Sequence, residues 1–300
     1  MELHKYAAID IGSNGVRLLI SNVVVFENKE PQFKKSSLVR VPIRLGEDVF
    51  ATGRISEKNT KRMCDAMGAF QLLMKVHGVE KYKACATSAM REAKNRKDIV
   101  ASIFKNSGVK IDIINGKTEA EIISSTDLSK FIQSDKSYLY VDVGGGSTEF
   151  TFFSDGKLIK SKSFPLGTVR LLDDKVDDVV WEEAKEWIKK YSRDLPNLSL
   201  IGSGGNINKI FKMSGKRMGK PLSYIYLNSY YKFLNQMTYD ERISELDLNP
   251  DRADVIIPAS LIYIKAMKWS GANKIYVPKI GLSDGIIKSL YMGKFDEQIK

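Results

Sequence analysis

Asp142 and Glu149 stand on either side of Gly144, Gly145, Gly146, Ser147 and Thr148, inside the stretch that runs from Tyr138 to Phe153. Glycines carry no Cβ, so backbone N–H groups in such a turn can approach a phosphate closely. The Ser147 and Thr148 hydroxyls add donors. Carboxylates beside an anion site fit a divalent cation, or a water to be deprotonated. The chain has only two histidines, His4 and His77, and two cysteines, Cys64 and Cys85. That removes histidine-rich metal centres and argues against a Ser-His-Asp mechanism, so acid–base work falls to carboxylates. Both cysteines lie in apolar surroundings, which argues against a disulfide framework.

The elements that hold this turn follow from its flanks. The apolar run Tyr138 to Val141 reads as a buried strand, and Phe150 to Phe153 as its return. A single glycine turn would read as an ordinary hairpin. The design occurs twice, however: between Tyr6 and Ile20 an apolar strand again leads through Asp10 into a small polar turn and back. Asp10 matches Asp142, Gly12 matches Gly144, and Ser13 and Asn14 match the next turn positions. Two such units predict two related lobes, with phosphate in the cleft between them.

Other segments supply candidates around these turns. Ser56 reads as the cap of a helix through Val76, with Met63, Met67, Phe70 and Met74 on its core face. Between Lys83 and Ala93 a buried strand enters a helix capped by Thr87 or Ser88. Arg91 then falls in the first turn, where a cation opposes the helix dipole; a nearby anion would account for it, and a salt bridge near Glu92 is the alternative. Thr118 and Glu121 have capping-box spacing, which leaves Glu119 as the spare carboxylate at a strand-to-helix junction. A third glycine turn, Gly202 to Asn208, follows the strand Leu198 to Ile201. Arg40 to Glu47 reads as a strand followed by a loop, and one helix is expected from Asp251 to about Trp269. Lys212, Lys216, Arg217 and Lys220, with Gly215 and Gly219 between them, form a basic loop able to hold an extended polyanion; a plain solvated loop is the alternative.

The chain has 300 residues, 43% of them hydrophobic, enough for two domains. The expected division is residues 1–128 and 129–300, with the closing helix free to pack back on the first lobe. No apolar run is long enough to span a bilayer, and the N-terminus lacks a signal-peptide core, so a cytoplasmic location is expected. The net charge of +11 suggests an anionic partner, with a solvated surface as the alternative. No zinc-finger, RNA-recognition or basic-zipper pattern accompanies it, so neither nucleic acid nor membrane is expected as the partner.

Seven segments together resemble one family. They are Ala8 to Asn14, Arg44 to Gly46, Ala86 to Ala93, Gly116 to Glu121, Asp142 to Glu149, Pro165 to Leu171 and Pro250 to Asp254. In that order they are similar to the motifs of the exopolyphosphatase / guanosine pentaphosphate phosphohydrolase (Ppx/GppA) family, in its short two-domain form. That family lies within the actin, heat-shock chaperone and sugar-kinase superfamily. The resemblance implies an α/β fold of two ribonuclease-H-like lobes with a catalytic cleft between them. It implies Mg²⁺-dependent release of terminal phosphate from inorganic polyphosphate, with guanosine pentaphosphate (pppGpp) as second substrate and a homodimer as one candidate assembly. Glu119 then matches the carboxylate that activates water. Asp142 and Glu149 match the metal and catalytic carboxylates, and Asp10, facing them from the other lobe, is expected as a further metal ligand. Ser13, Asn14, Arg91 and Gly144 to Thr148 match phosphate-holding positions. Three positions depart from the family pattern: Gly15 replaces a serine, Asn206 a threonine, and Ser283-Asp284 an Arg-Glu pair. A kinase on this fold, or a polyphosphate or nucleotide sensor without turnover, are the other function classes.

Overall fold

Three long strands begin the chain and fold into a meander. β1 (Glu2–Ile11), β2 (Val16–Phe26) and β3 (Lys29–Val41) pair antiparallel in sequence order. The computed structural model describes residues 1–126, 136–195 and 197–295. The strand expected at Arg40 is the end of β3, and the chain leaves the meander through α1 (Leu45–Thr52), which begins within the expected loop; Arg44 takes a left-handed conformation at its start. α2 (Glu57–His77) follows, with the Ser56 side chain accepting from the Asn59 amide, Gly78 closing the last turn at φ 68°, and the four expected apolar side chains buried. β4 (Lys81–Ala86), α3 (Ser88–Glu92), α4 (Arg96–Ser107), β5 (Ile111–Ile113) and α5 (Gly116–Ser124) complete this part. The sheet order is β3-β2-β1-β4-β5, with β1, β4 and β5 parallel.

The second half repeats the plan. β6 (Tyr138–Val143), β7 (Thr148–Ser154) and β8 (Lys157–Phe164) form the meander. α6 (Thr168–Leu172), α7 (Asp178–Ser192), β9 (Ser199–Ser203), α8 (Gly205–Met213) and β10 (Leu222–Ser223) come next. α9 (Tyr224–Gln236), α10 (Tyr239–Ser244), α11 (Pro250–Ala253), α12 (Ile256–Ser270) and β11 (Lys274–Tyr276) follow. The single helix expected from Asp251 is thus a short turn and a separate helix. The order β8-β7-β6-β9-β11, with β10 added at the edge, matches the first sheet strand for strand. Both sheets are mixed because a hairpin meander is followed by parallel strands that need helical crossovers.

The chain divides into two units, Met1–Thr126 with Leu282–Lys300, and Asp127–Gly281. The boundary expected at 128/129 falls outside the described residues. The closing helix α13 (Leu282–Tyr291) belongs to the first unit and packs on β1, β2, β4 and α5. Asp284, one of the departures from the family pattern, pairs with Lys35 of β3 at 2.8 Å. Each unit has its own apolar core, one lined by Ile9, Leu18, Met67 and Phe70, the other by Val141, Phe150, Leu200 and Tyr263. Among the described residues no helix is long and apolar enough to cross a membrane.

Candidate functional site

In the second unit the β6–β7 ladder brings Asp142 opposite Glu149 and Val143 opposite Thr148. The Gly144 amide then donates to the Ser147 carbonyl at 2.9 Å, closing the turn. The other side of the turn is held by the start of α6. The Thr168 amide donates to the Gly144 carbonyl at 3.0 Å and the Val169 amide to that of Gly145 at 2.8 Å. Arg170 Nε donates to the Gly146 carbonyl at 2.7 Å. A trans peptide is planar, with its C=O and the following N–H pointing in opposite directions. Three tied carbonyls therefore turn the N–H groups of Gly145, Gly146 and Ser147 away from α6, as a set of successive donors suited to an anion. Gly167 makes this clamp possible: a Cβ there would lie 2.3 Å from the Gly145 carbonyl oxygen.

The hydroxyls of this turn are spent differently from the sequence expectation. Ser147 Oγ donates to Glu149 Oε1 at 2.7 Å, and Ser163 Oγ donates to the same oxygen at 2.7 Å. The Thr148 hydroxyl donates to the Leu166 carbonyl. Both side chains brace the turn and its carboxylate, and the backbone amides are the donors that the turn directs outward. Asp142 and Glu149 are direct cross-strand neighbours, and two like charges so placed repel. Two hydroxyl donors on Glu149 ease that repulsion, and a cation between the carboxylates would ease it further.

The first unit holds the same hairpin with the charge problem answered internally. Gly12 N donates to Gly15 O at 3.2 Å, and Arg17 stands opposite Asp10, the place that Glu149 has opposite Asp142. Arg17 Nη1 donates to Asp10 Oδ2 at 2.9 Å. Burial raises the Asp10 pKa, and the Arg17 guanidinium works against that rise. Asp10, expected as a metal ligand, thus has an arginine as its neighbour. Ser13 is buried; its hydroxyl accepts from the Ala89 amide at 3.2 Å and its carbonyl from the Gly46 amide at 2.8 Å, so it ties the turn to α1 and α3. Asn14 is half-buried in the same turn. The space left by Gly15 is filled by the Arg40 guanidinium, 3.0 Å from where a Cβ would sit.

Arg91 and Glu119 each lie in the helix that follows one of the parallel strands β4 and β5. α3 is so short that Arg91 lies in its last turn, where a cation suits the dipole. The expected conflict is therefore absent. Arg91 Nη1 instead donates to the Ile114 carbonyl at 2.8 Å, pinning the chain just ahead of α5. The cap of α5 is Asn115, whose Oδ1 accepts from the Thr118 amide at 2.9 Å, in place of the Thr118–Glu121 box. Glu121 is exposed and faces Lys117, whereas Glu119 is 7% exposed among Ala120, Ile122 and Ile123. Burial, not the capping register, singles out Glu119. Cys85 is excluded as a nucleophile, since burial pushes its thiol up to about 12.

The third glycine turn, left open by the sequence, adjoins the central one. β9 runs parallel to β6, and their last pair is Asp142 with Ser203. Gly204 has φ 116°, and a Cβ there would come 3.1 Å from the Val143 carbonyl oxygen and 3.7 Å from Asp142 Oδ1. Arg252 Nη1 donates to the Gly205 carbonyl at 3.1 Å, and Asn206 Nδ2 donates to the Val255 carbonyl at 3.5 Å. α8 then runs back along the sheet for nine residues, about 13 Å at 1.5 Å each. Lys212 ends up in its last turn, and Lys216, Arg217 and Lys220 reach the edge where the strands begin, beside β10. Lys216 Nζ donates to the Pro221 carbonyl at 2.8 Å. The basic loop is thus a helix length from the glycine turns of its own unit.

A match to the model of the Ppx/GppA phosphatase family spans residues 24–292. The chain belongs to the Ppx/GppA phosphatase family. Its relatives include a bifunctional 3-dehydroquinate synthase/phosphatase of Fusobacterium nucleatum, 31% identical over 90% of the chain. The chain spans 44% of that longer protein. Exopolyphosphatase 2 of Mycobacterium tuberculosis is 26% identical, over 97% of the chain and 99% of the relative. Among solved structures, an exopolyphosphatase from Cytophaga hutchinsonii superposes with a TM-score of 0.81 at 24% identity, covering 97% of this chain and 98% of that one. That likeness shows the two-lobed, actin-like α/β fold of Ppx/GppA proteins.

Proposed function

We propose that this chain is an exopolyphosphatase-type hydrolase, releasing terminal orthophosphate from inorganic polyphosphate by attack of water. The observation that carries the proposal is the clamped turn at Gly144 to Ser147. Three carbonyls bound to α6 and Arg170 aim three successive amides in the other direction. Preorganised donors of this kind stabilise charge that accumulates on phosphoryl oxygens. Glu119, the buried carboxylate of α5, is the base that takes the proton of the attacking water.

Among the described residues no group of three or more His, Cys, Asp or Glu is placed to hold a metal ion. Asp142 and Glu149 are two carboxylates, and Mg²⁺ is commonly held by one or two carboxylates together with water and substrate phosphates. Their direct opposition across the ladder fits a cation of that kind, and these two residues would hold it. When bound, it would neutralise phosphate oxygens during transfer. Asp10, paired with Arg17, serves better to keep its hairpin in shape.

Guanosine pentaphosphate is the second substrate to weigh, since its triphosphate end offers the same anhydride. Phosphate release measured side by side on long polyphosphate, tripolyphosphate, pppGpp and ATP tests the assignment. Release from polyphosphate at the highest kcat/KM supports it; faster release from pppGpp transfers the assignment to that substrate. Tight binding of polyphosphate with no release from any substrate would make the chain a sensor.

A further inference from the structure

α12 is a largely apolar, mostly buried helix, and Tyr263 places a phenol hydroxyl in the middle of it. Its neighbours Ile262 and Ile264 are buried, and Tyr263 itself is fully buried. The hydroxyl donates to the Ser203 carbonyl, at the last rung of the β6–β9 ladder and one residue before Gly204. A Cβ on Gly204 would lie 3.6 Å from this hydroxyl and 3.7 Å from Asp142 Oδ1, so the phenol and the carboxylate flank the same glycine. Burial, followed by the nearby Asp142 charge, raises the Tyr263 pKa well above its ordinary value, so the group stays protonated and remains a donor.

Packing alone does not require this hydroxyl. A phenylalanine would fill the same volume without burying a polar atom, and a buried polar atom is costly unless it is bonded. Beyond Ser203 the ladder has no further rung, because the chain departs through Gly204 at φ 116°. The tyrosine holds the strand end where the ladder ceases to. It thereby fixes the path of the third glycine turn beside Asp142.

We infer that Tyr263 is a positioning residue: by holding the Ser203 carbonyl it keeps Gly204 and the Asp142 carboxylate in the arrangement that receives a cation with its phosphate. The inference rests on the function proposed above. Displacements near 1 Å at a reacting centre cost about 10²-fold in rate. Tyr263→Phe should therefore lower kcat on polyphosphate by ~10–10²-fold and raise the Mg²⁺ concentration for half-maximal activity about tenfold, with KM changed less than about twofold. Calorimetric binding of Mg²⁺ with methylenediphosphonate, which is not hydrolysed, should weaken about tenfold in parallel. Ile264→Val, on the same helix, is the stability control. It should lower the melting temperature without touching kcat or the Mg²⁺ requirement. If Ile264→Val reduces kcat and metal affinity as much as Tyr263→Phe, or if Tyr263→Phe is indistinguishable from the parent protein, the tyrosine is only structural.

Should Tyr263→Phe not fold, the unaltered protein decides. On addition of Mg²⁺ and methylenediphosphonate, the amide resonances of Gly145, Gly146 and Gly204 should all shift. Shifts at Gly145 and Gly146 with none at Gly204 would overturn the tyrosine's role while leaving the function intact. No shift at any of the three would remove both.

Discussion

Replacing Gly167 by alanine tests the clamp behind the central turn most directly. Gly167 has φ −124° and ψ 158°, a conformation any residue adopts, so the only cost of a side chain is space. The new Cβ would sit 2.3 Å from the Gly145 carbonyl oxygen and 2.4 Å from the Gly146 carbonyl carbon. Ordinary contact begins near 3.4 Å, so the two chain segments must separate by 3.4 − 2.3, about 1.1 Å. Both partners are backbone, and neither can rotate out of the way as a side chain would. Overpacking of this kind costs about 1–3 kcal/mol of stability. Separation also stretches the bonds from Thr168, Val169 and Arg170 that orient the three amides. A shift near 1 Å at such donors should lower kcat about 10²-fold. Steady-state phosphate release from polyphosphate, with thermal melting to confirm the fold, reads both effects. A folded Gly167→Ala protein with unchanged kcat would show that the amide set does not stabilise the reaction.

Glu119→Gln should preserve the fold and lower kcat by ~10²–10⁴, while Glu121→Gln should be nearly silent because that side chain is exposed; kcat for the two variants side by side checks this. Activity should disappear in chelator and return with Mg²⁺, and Asp142→Asn should raise the Mg²⁺ requirement at least tenfold in a metal titration. For Asp10, burial holds the folded pKa above its ordinary value, so the folded state is favoured below that value and loses stability as pH rises through the folded pKa. Arg17→Met removes the opposing charge and should cost about 2–3 kcal/mol at pH 7, discounted for the partial exposure of Arg17, and less near pH 4; Asp10→Asn in that background should recover most of it in denaturant titrations. Replacing Lys212, Lys216, Arg217 and Lys220 together by Ser should raise KM for long polyphosphate and flatten its salt dependence; equal shifts for tripolyphosphate would refute a polyanion path along α8.

The repeated hairpins were legible because their signals are local. An apolar run, an acidic residue and a glycine turn lie within about ten residues of one another, and such spacing survives into structure. Helix registers were harder. Asn115 won the cap of α5 from Thr118 because its side chain could reach the Thr118 amide, and both residue types suit that role. The penalty assigned to Arg91 vanished because α3 lasts barely one turn, and nothing in Ala89 to Glu92 announces where a helix stops. Tyr263 and Gly167 were missed as site residues for a different reason. Their partners, Ser203 and Gly145, lie 60 and 22 positions away in the chain, and only the packed sheet brings them together. Arg17 had a visible clue, since it occupies in its hairpin the place that Glu149 occupies in the other.

The first unit is discontinuous in sequence: residues 1–126 wait for Leu282–Lys300. During synthesis the strands of its sheet emerge first, and the whole second unit is made before α13 arrives. α13 packs on the helix that carries Glu119, so closely that a Cβ on Gly285 would meet the Ile122 carbonyl oxygen at 2.3 Å. Domains tend to fold as units during synthesis, and this one cannot be finished before α13 appears. The order of translation therefore delays the seating of the candidate base until the second unit has been made.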